Sequence, residues 1–259
     1  MSGLSIRDVS IRYGKRVVIR DLTLPDLPAG QVTVLAGPNA AGKSTLLRAV
    51  AQLGPHAGRI MLDDADLARL PGPQRARLVG FMPQSLPSGS SLIVLESIIA
   101  ALRAAGETPA AQADAQAMAV LDRLGIGALA LNPLDQLSGG QRQLVSLAQA
   151  IVRNPRLLLL DEPTSALDLA RQVRLLAELR RLAAEGRVVV AVLHDLALAA
   201  QWADRIVVLH QGGIHSDGPP EKVLTPAMLA EVYGVEARVE RCSRGNLTIL
   251  IDRELAPVP

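Results

Sequence analysis

The sequence predicts an α/β fold, a core of short apolar strands and helices interrupted by a helical insertion. Three observations carry this reading. A short apolar, β-branched run, Gln31–Ala36, ends at Gly37 and leads through a glycine-containing loop into a helix from Gly42 onward. From Leu92 to about Asn154 the pattern becomes helical. Strand runs then return at Leu157–Leu160, Arg187–Leu193 and Arg205–Leu209, with a helix over Arg171–Glu185 between the first two.

Taken in order, the chain opens on short strands. Leu4–Ile11 alternates loosely, and Arg16–Leu24 follows a Gly14-Lys15 turn. Gly58–Leu62 and Leu78–Met82 are further strand candidates. In the helical stretch, Thr108 reads as an N-cap with Pro109 at the first helical position, and Gly125 as a stop. Ser138 reads as the cap of a helix carrying Leu144, Leu147, Ala148, Ile151 and Val152 on one stripe, with Pro155 just beyond its end. Near the C-terminus Thr225 caps a helix begun by Pro226, whose Met228, Leu229, Val232 and Tyr233 should face inward. With no repeat and no long Pro/Ser-rich linker, residues 1–259 read as one unit: a helical part at about 86–153 and a tail at about 225–259.

Composition narrows the function classes. Half of the chain is hydrophobic (49%) and only 2% aromatic, so Leu, Val, Ile and Ala must pack a sizeable core. A formal charge of +2, with basic and acidic residues intermixed, gives no reason to expect a nucleic-acid partner. The one cysteine, Cys242, rules out an internal disulfide and makes a reducing compartment the default. His56, His210 and His215 share no ligand spacing with it. The N-terminus lacks the apolar stretch of a signal peptide, and no uncharged apolar run reaches membrane-spanning length. The expectation is a cytosolic chain whose membrane role, if any, comes through a partner.

Two motifs point to phosphate chemistry. Gly37-Pro38-Asn39-Ala40-Ala41-Gly42-Lys43-Ser44-Thr45 matches the P-loop pattern between a predicted strand and a predicted helix, the context the pattern requires. Backbone N–H groups and a helix N-terminus there form an anion-sized concavity. Lys43 can reach the β- and γ-phosphates, and the Ser44 hydroxyl can ligate Mg²⁺. Leu157–Leu160 then runs into Asp161 and Glu162, an apolar strand presenting adjacent carboxylates. Asp161 suits Mg²⁺, through water, and Glu162 suits polarising a water. Alone, that pair reads equally well as a strand reaching solvent before Pro163; beside a P-loop the functional reading gains.

Leu137-Ser138-Gly139-Gly140-Gln141 narrows the field further, because it resembles the signature sequence of ABC-type ATPases and precedes the acidic strand by one helix. Ser138 and the Gly139 and Gly140 amides at a helix N-terminus form a second phosphate half-site. The resemblance spans about residues 4–225, with motifs in family order. It implies a P-loop NTPase with a RecA-like core, an N-terminal antiparallel β subdomain and an inserted helical subdomain. It also implies that two chains sandwich two Mg·ATP head to tail and push on transmembrane permease subunits docked near Gln84 and the following loop. In an importer, a substrate-binding protein acts indirectly.

The remaining positions follow from the same resemblance. Gln84 resembles the glutamine that senses Mg²⁺ and water; it could equally be a surface-loop residue. Ser165-Ala166-Leu167-Asp168 resembles the loop that crosses the dimer interface, or a helix start capped by Ser165 or Thr164. His194 resembles the switch histidine that contacts the γ-phosphate, an assignment that rests on motif order. Tyr13 matches the aromatic that stacks on adenine, with core packing as its alternative. Ala40 stands where the usual loop has glycine, at a cost of about 1 kcal/mol if its φ is positive. The run Ser165–Gln172 and the tail through Val235 resemble importer ATPases for ferric siderophores, haem and cobalamin, most of all the siderophore branch. An ABC ATPase without a permease, such as a cluster-assembly ATPase, is the rival class; a small-molecule kinase would have no need of Leu137–Gln141.

Overall fold

β1 (Gly3–Tyr13) and β2 (Arg16–Pro28) form a bulged hairpin about the Gly14-Lys15 turn. Their alternation buries Leu4, Ile6, Val9 and Ile11 from one strand and Ile19, Leu22, Leu24 and Leu27 from the other. β3 (Val32–Ala36) leaves this sheet for the centre of the molecule and delivers the chain to α1 (Lys43–Val50). β4 (Ala57–Leu62) and β5 (Ala65–Asp66) return to complete an antiparallel sheet of order β2-β1-β4-β5. The computed structural model describes residues 3–85, 91–106 and 108–255.

α2 (Gly72–Leu78) leads into β6 (Val79–Met82), and the helices α3 (Val94–Arg103), α4 (Ala110–Arg123) and α5 (Gly139–Ile151) follow. The expected cap at Thr108 is corrected: Pro109 itself occupies the cap position, extended at φ −53° and ψ 140°, and α4 begins one residue later without a side-chain cap. Proline has no side-chain acceptor to offer the free N–H groups of the first turn, and the threonine ahead of it is a residue too far from them. Arg153 donates to the Ala101 carbonyl (2.6 Å) and Arg77 to that of Ala105 (2.8 Å), tying the end of α3 to the core. Arg123 on α4 pairs with Glu178 on the helix after the next strand.

β7 (Leu157–Asp161), α6 (Leu169–Ala184), β8 (Val188–Val192), α7 (Leu196–Trp202), β9 (Arg205–His210) and β10 (Gly213–Gly218) finish the central sheet, whose order is β10-β9-β3-β8-β7-β6. Every pairing is parallel except that of edge strand β10. The uninterrupted apolar runs are explained by burial on both faces. Leu158, Leu160, Val189 and Ala191 join the core under the helices, while Leu157, Leu159, Val188 and Val190 join the core shared with α1 and the antiparallel sheet.

The tail begins with α8 (Pro220–Val223) and α9 (Pro226–Tyr233). Thr225 caps α9 through its Oγ1, which accepts from Met228 N (3.1 Å); Met228, Leu229 and Val232 are buried, and Tyr233 is partly so. β11 (Val235–Arg241) and β12 (Leu247–Glu254) then pair as a separate hairpin. No helix among the described residues is long and apolar enough to cross a membrane.

Candidate functional site

The parallel strands bring their carboxyl ends to one edge, where open α/β sheets bind ligands. The glycine loop leaves β3 there, Gln84 follows β6, Asp161 ends β7 with Glu162 next, and His194 lies just past β8. A cleft of ≈ 410 Å³ opens at this edge, lined by Tyr13, Asn39, Ala40, Gly42, Lys43, Ser44, Thr45, Glu162 and His194. Its size falls within the range of small-ligand sites.

The loop's conformation follows from its residues. Gly37 has φ +135°, and a Cβ there would lie 2.1 Å from the Leu209 carbonyl oxygen, so no side chain fits. Gly42 turns left-handed at φ 102° to start α1. Ala40 does adopt positive φ, 63°, so its departure from glycine carries the expected cost of about 1 kcal/mol. Lys43 is buried, and its Nζ donates to the carbonyls of Gly37 (2.7 Å) and Pro38 (2.8 Å). Burial lowers its pKa, opposed by the nearby charges of Glu162 and Asp161. A buried cation whose hydrogen bonds go to two neutral carbonyls at the head of a helix gains when an anionic phosphate replaces them.

Ser44 Oγ donates to Asp161 Oδ1 at 2.7 Å, and Asp161 Oδ2 is buried without a partner. Burial raises the Asp161 pKa, the Ser44 hydrogen bond opposes this, and the Glu162 charge adds to the rise. A carboxylate with one orphaned oxygen beside a hydroxyl is a donor set that a hard divalent cation satisfies, so Ser44 and Asp161 fit Mg²⁺.

Glu162 is held on both carboxylate oxygens. Gln84 Nε2 donates to Oε2 (2.8 Å), and His194 Nε2 lies 2.6 Å from Oε1. With Glu162 ionised, that contact requires the imidazole proton on Nε2. Gln84 and His194 thus form a cluster of side chains around one carboxylate. Tyr13 is 48% exposed beside the cleft, which removes core packing as the explanation of its ring. Tyr13→Ala is expected to weaken nucleotide binding by about 1–3 kcal/mol, with Tyr13→Phe nearly neutral. Equal damage from both changes in equilibrium titrations would exclude stacking.

The chain does not bring every expected residue to this cleft. Ser138 caps α5 reciprocally: its Oγ accepts from Gln141 N (3.3 Å), and Gln141 Oε1 accepts from Ser138 N (2.8 Å). Gly139 lines a separate groove of ≈ 200 Å³ with Pro83, Gln84, Ser85 and Arg142. Asp168 is the cap of α6, its Oδ1 accepting from Arg171 N (2.9 Å), in place of Ser165 or Thr164. The loop following Gln84, residues 86–90, where permease docking is expected, lies outside the described residues. Sequence reasoning missed Arg16 and Val18 on the cleft wall and the buried Gln143 beside Glu162. Arg16 was within reach, since it pairs with Tyr13 across the hairpin.

Comparison with known proteins gives the family. The family model for ABC transporters matches residues 20–165. A hemin import ATP-binding protein of Rhodococcus jostii is 39% identical over 95% of this chain and 84% of its own length. An iron(3+)-hydroxamate import ATP-binding protein of Bacillus subtilis is 32% identical over 98% and 96%. Among solved structures, a metal-chelate type ABC transporter in an inward-facing conformation superposes with a TM-score of 0.80 at 27% identity, covering 99% of each chain. A dimeric bacterial ABC transporter cassette gives 0.75 at 26% identity over 84% of this chain and 98% of its own. The chain belongs to the ABC transporter family, as one of its nucleotide-binding, ATP-hydrolysing cassettes.

Proposed function

We propose that this cassette powers bacterial import of an iron chelate, working as an ATP-sandwich homodimer on the cytoplasmic face of the membrane beneath permease subunits. A substrate-binding protein delivers the cargo from the other side. The observation that carries the ATPase half of this reading is the Glu162 carboxylate, held by Gln84 and His194 at the mouth of the phosphate loop.

Each role follows from a position. The triphosphate lies along the loop Gly37–Thr45, whose amides and α1 N-terminus receive its charge. Lys43 exchanges its two carbonyl partners for the β- and γ-phosphates. Tyr13 stacks on the base. Ser44 and Asp161, together with Gln84, would hold Mg²⁺, which would supply neutralisation of the phosphate charge. Glu162 orients a water and accepts its proton as the oxygen attacks the γ-phosphorus and the bond to the β-phosphate oxygen breaks. ADP and inorganic phosphate result. His194 faces the γ-phosphate and fixes Glu162. Ser138, Gly139, Gly140 and Gln141, which lie away from this cleft, offer the α5 N-terminus to the γ-phosphate bound by the partner copy, and Asp168 lies on the loop between the two copies.

For the cargo we infer a ferric siderophore, from the Ser165–Gln172 run and the tail. The relative named for iron(3+)-hydroxamate import supports this reading. The relative named for hemin import favours haem as the second. The expected result is that ATPase activity, reconstituted with the permease, rises on addition of binding protein loaded with ferric siderophore. Stimulation by haem-loaded binding protein alone would transfer the cargo to haem, and stimulation by neither would contradict iron-chelate import.

A further inference from the structure

Gln143 lies one turn into α5, the helix whose N-terminus carries Ser138 and Gly139. It is 5% exposed, unusual for a polar side chain unless its valences are met. They are met by the segment after β7. Nε2 donates to the Glu162 carbonyl (2.9 Å) and to Ser165 Oγ (2.9 Å), and Oε1 accepts from Ala166 N (3.1 Å). Ser165 closes the same knot, its Oγ donating to the Glu162 carbonyl at 3.2 Å.

The knot sits where the backbone needs holding. Glu162 has φ 53°, a left-handed conformation that an L residue keeps only when its surroundings enforce it. That backbone turn aims the carboxylate at Gln84 and His194. We propose that Gln143 is a positioning residue for ATP hydrolysis: by fixing the Glu162 backbone and Ser165–Ala166 to α5, it ties the carboxylate's aim to the placement of the signature helix. The proposal rests on Glu162 being the group that orients water. It requires Gln143 to act on turnover and leave nucleotide binding alone, because it makes no contact in the phosphate cleft.

Gln143→Met keeps the length and packing of the side chain and removes all three hydrogen bonds. Gln143→Glu keeps an acceptor for the Ala166 N–H and removes both donors. In the full chain, kcat for Mg·ATP is expected to fall about 10–100-fold in both variants. KM and equilibrium ATP affinity should stay within about twofold, which also shows that both variants are folded; Gln143→Glu should melt lower than Gln143→Met, since it buries a carboxylate against the Glu162 carbonyl. In the Glu162→Gln background neither change should reduce the residual rate further. Unchanged kcat in either variant, or a rise in KM matching the loss, would overturn the positioning role. An active Glu162→Gln chain would instead overturn the assignment of Glu162 beneath it.

Discussion

Glu162→Gln is expected to lower ATP turnover by about 10²–10⁴-fold, the share of the rate that a positioned general base supplies. Nucleotide affinity should be retained, because the contacts that bind phosphate come from Gly37–Thr45 and not from this side chain. The amide can still donate to or accept from its neighbours, so Gln84 and His194 remain partnered and the fold is unstrained. What it loses is the capacity to take a proton from water. Steady-state hydrolysis and equilibrium titration together test this; near-normal turnover would remove Glu162 from the chemistry.

Gly139→Asp has an effect of similar size through the other half-site. The position tolerates the fold: a Cβ on Gly139 meets only the Ala166 Cβ, at an ordinary 3.4 Å. Gly140 is the poorer choice, since its Cβ would press on the Ala166 carbonyl at 3.0 Å. The new carboxylate lies at the N-terminus of α5, where it answers the helix charge and repels an arriving phosphate. The monomer should therefore bind ATP as before, while hydrolysis falls to background. Normal hydrolysis in this variant would contradict a γ-phosphate site at the head of α5.

Much of the architecture was legible because the central strands are buried on both faces and so are written as uninterrupted apolar runs. Leu157–Leu160 ending in Asp161 is the plainest case, and the register of β7 between β6 and β8 accounts for it. The β11–β12 hairpin was missed for a different reason. β11 does alternate, with Val235, Ala237 and Val239 between charged residues, but it is short and mostly exposed, and its partner β12 runs Leu247–Ile251 without a clean alternation before turning charged. Site residues that sit in contiguous motifs, such as Lys43 and Ser44, were readable from spacing. Gln143 was not, since its partners are about twenty positions away and a glutamine on a helix carries no local mark. Family likeness puts Asp168 on the loop that crosses the dimer interface; the fold shows it as the cap that ends that loop and starts α6.

In the proposed homodimer each chain brings two complementary halves of the ATP site, the cleft around Lys43 and the head of α5. Sedimentation velocity of Glu162→Gln tests this most directly. The expected result is a monomer without nucleotide, a dimer with Mg·ATP, and a monomer under both conditions once Gly139→Asp is added to the same chain. A sedimentation coefficient indifferent to ATP, or an ATP-dependent dimer that survives Gly139→Asp, would contradict it.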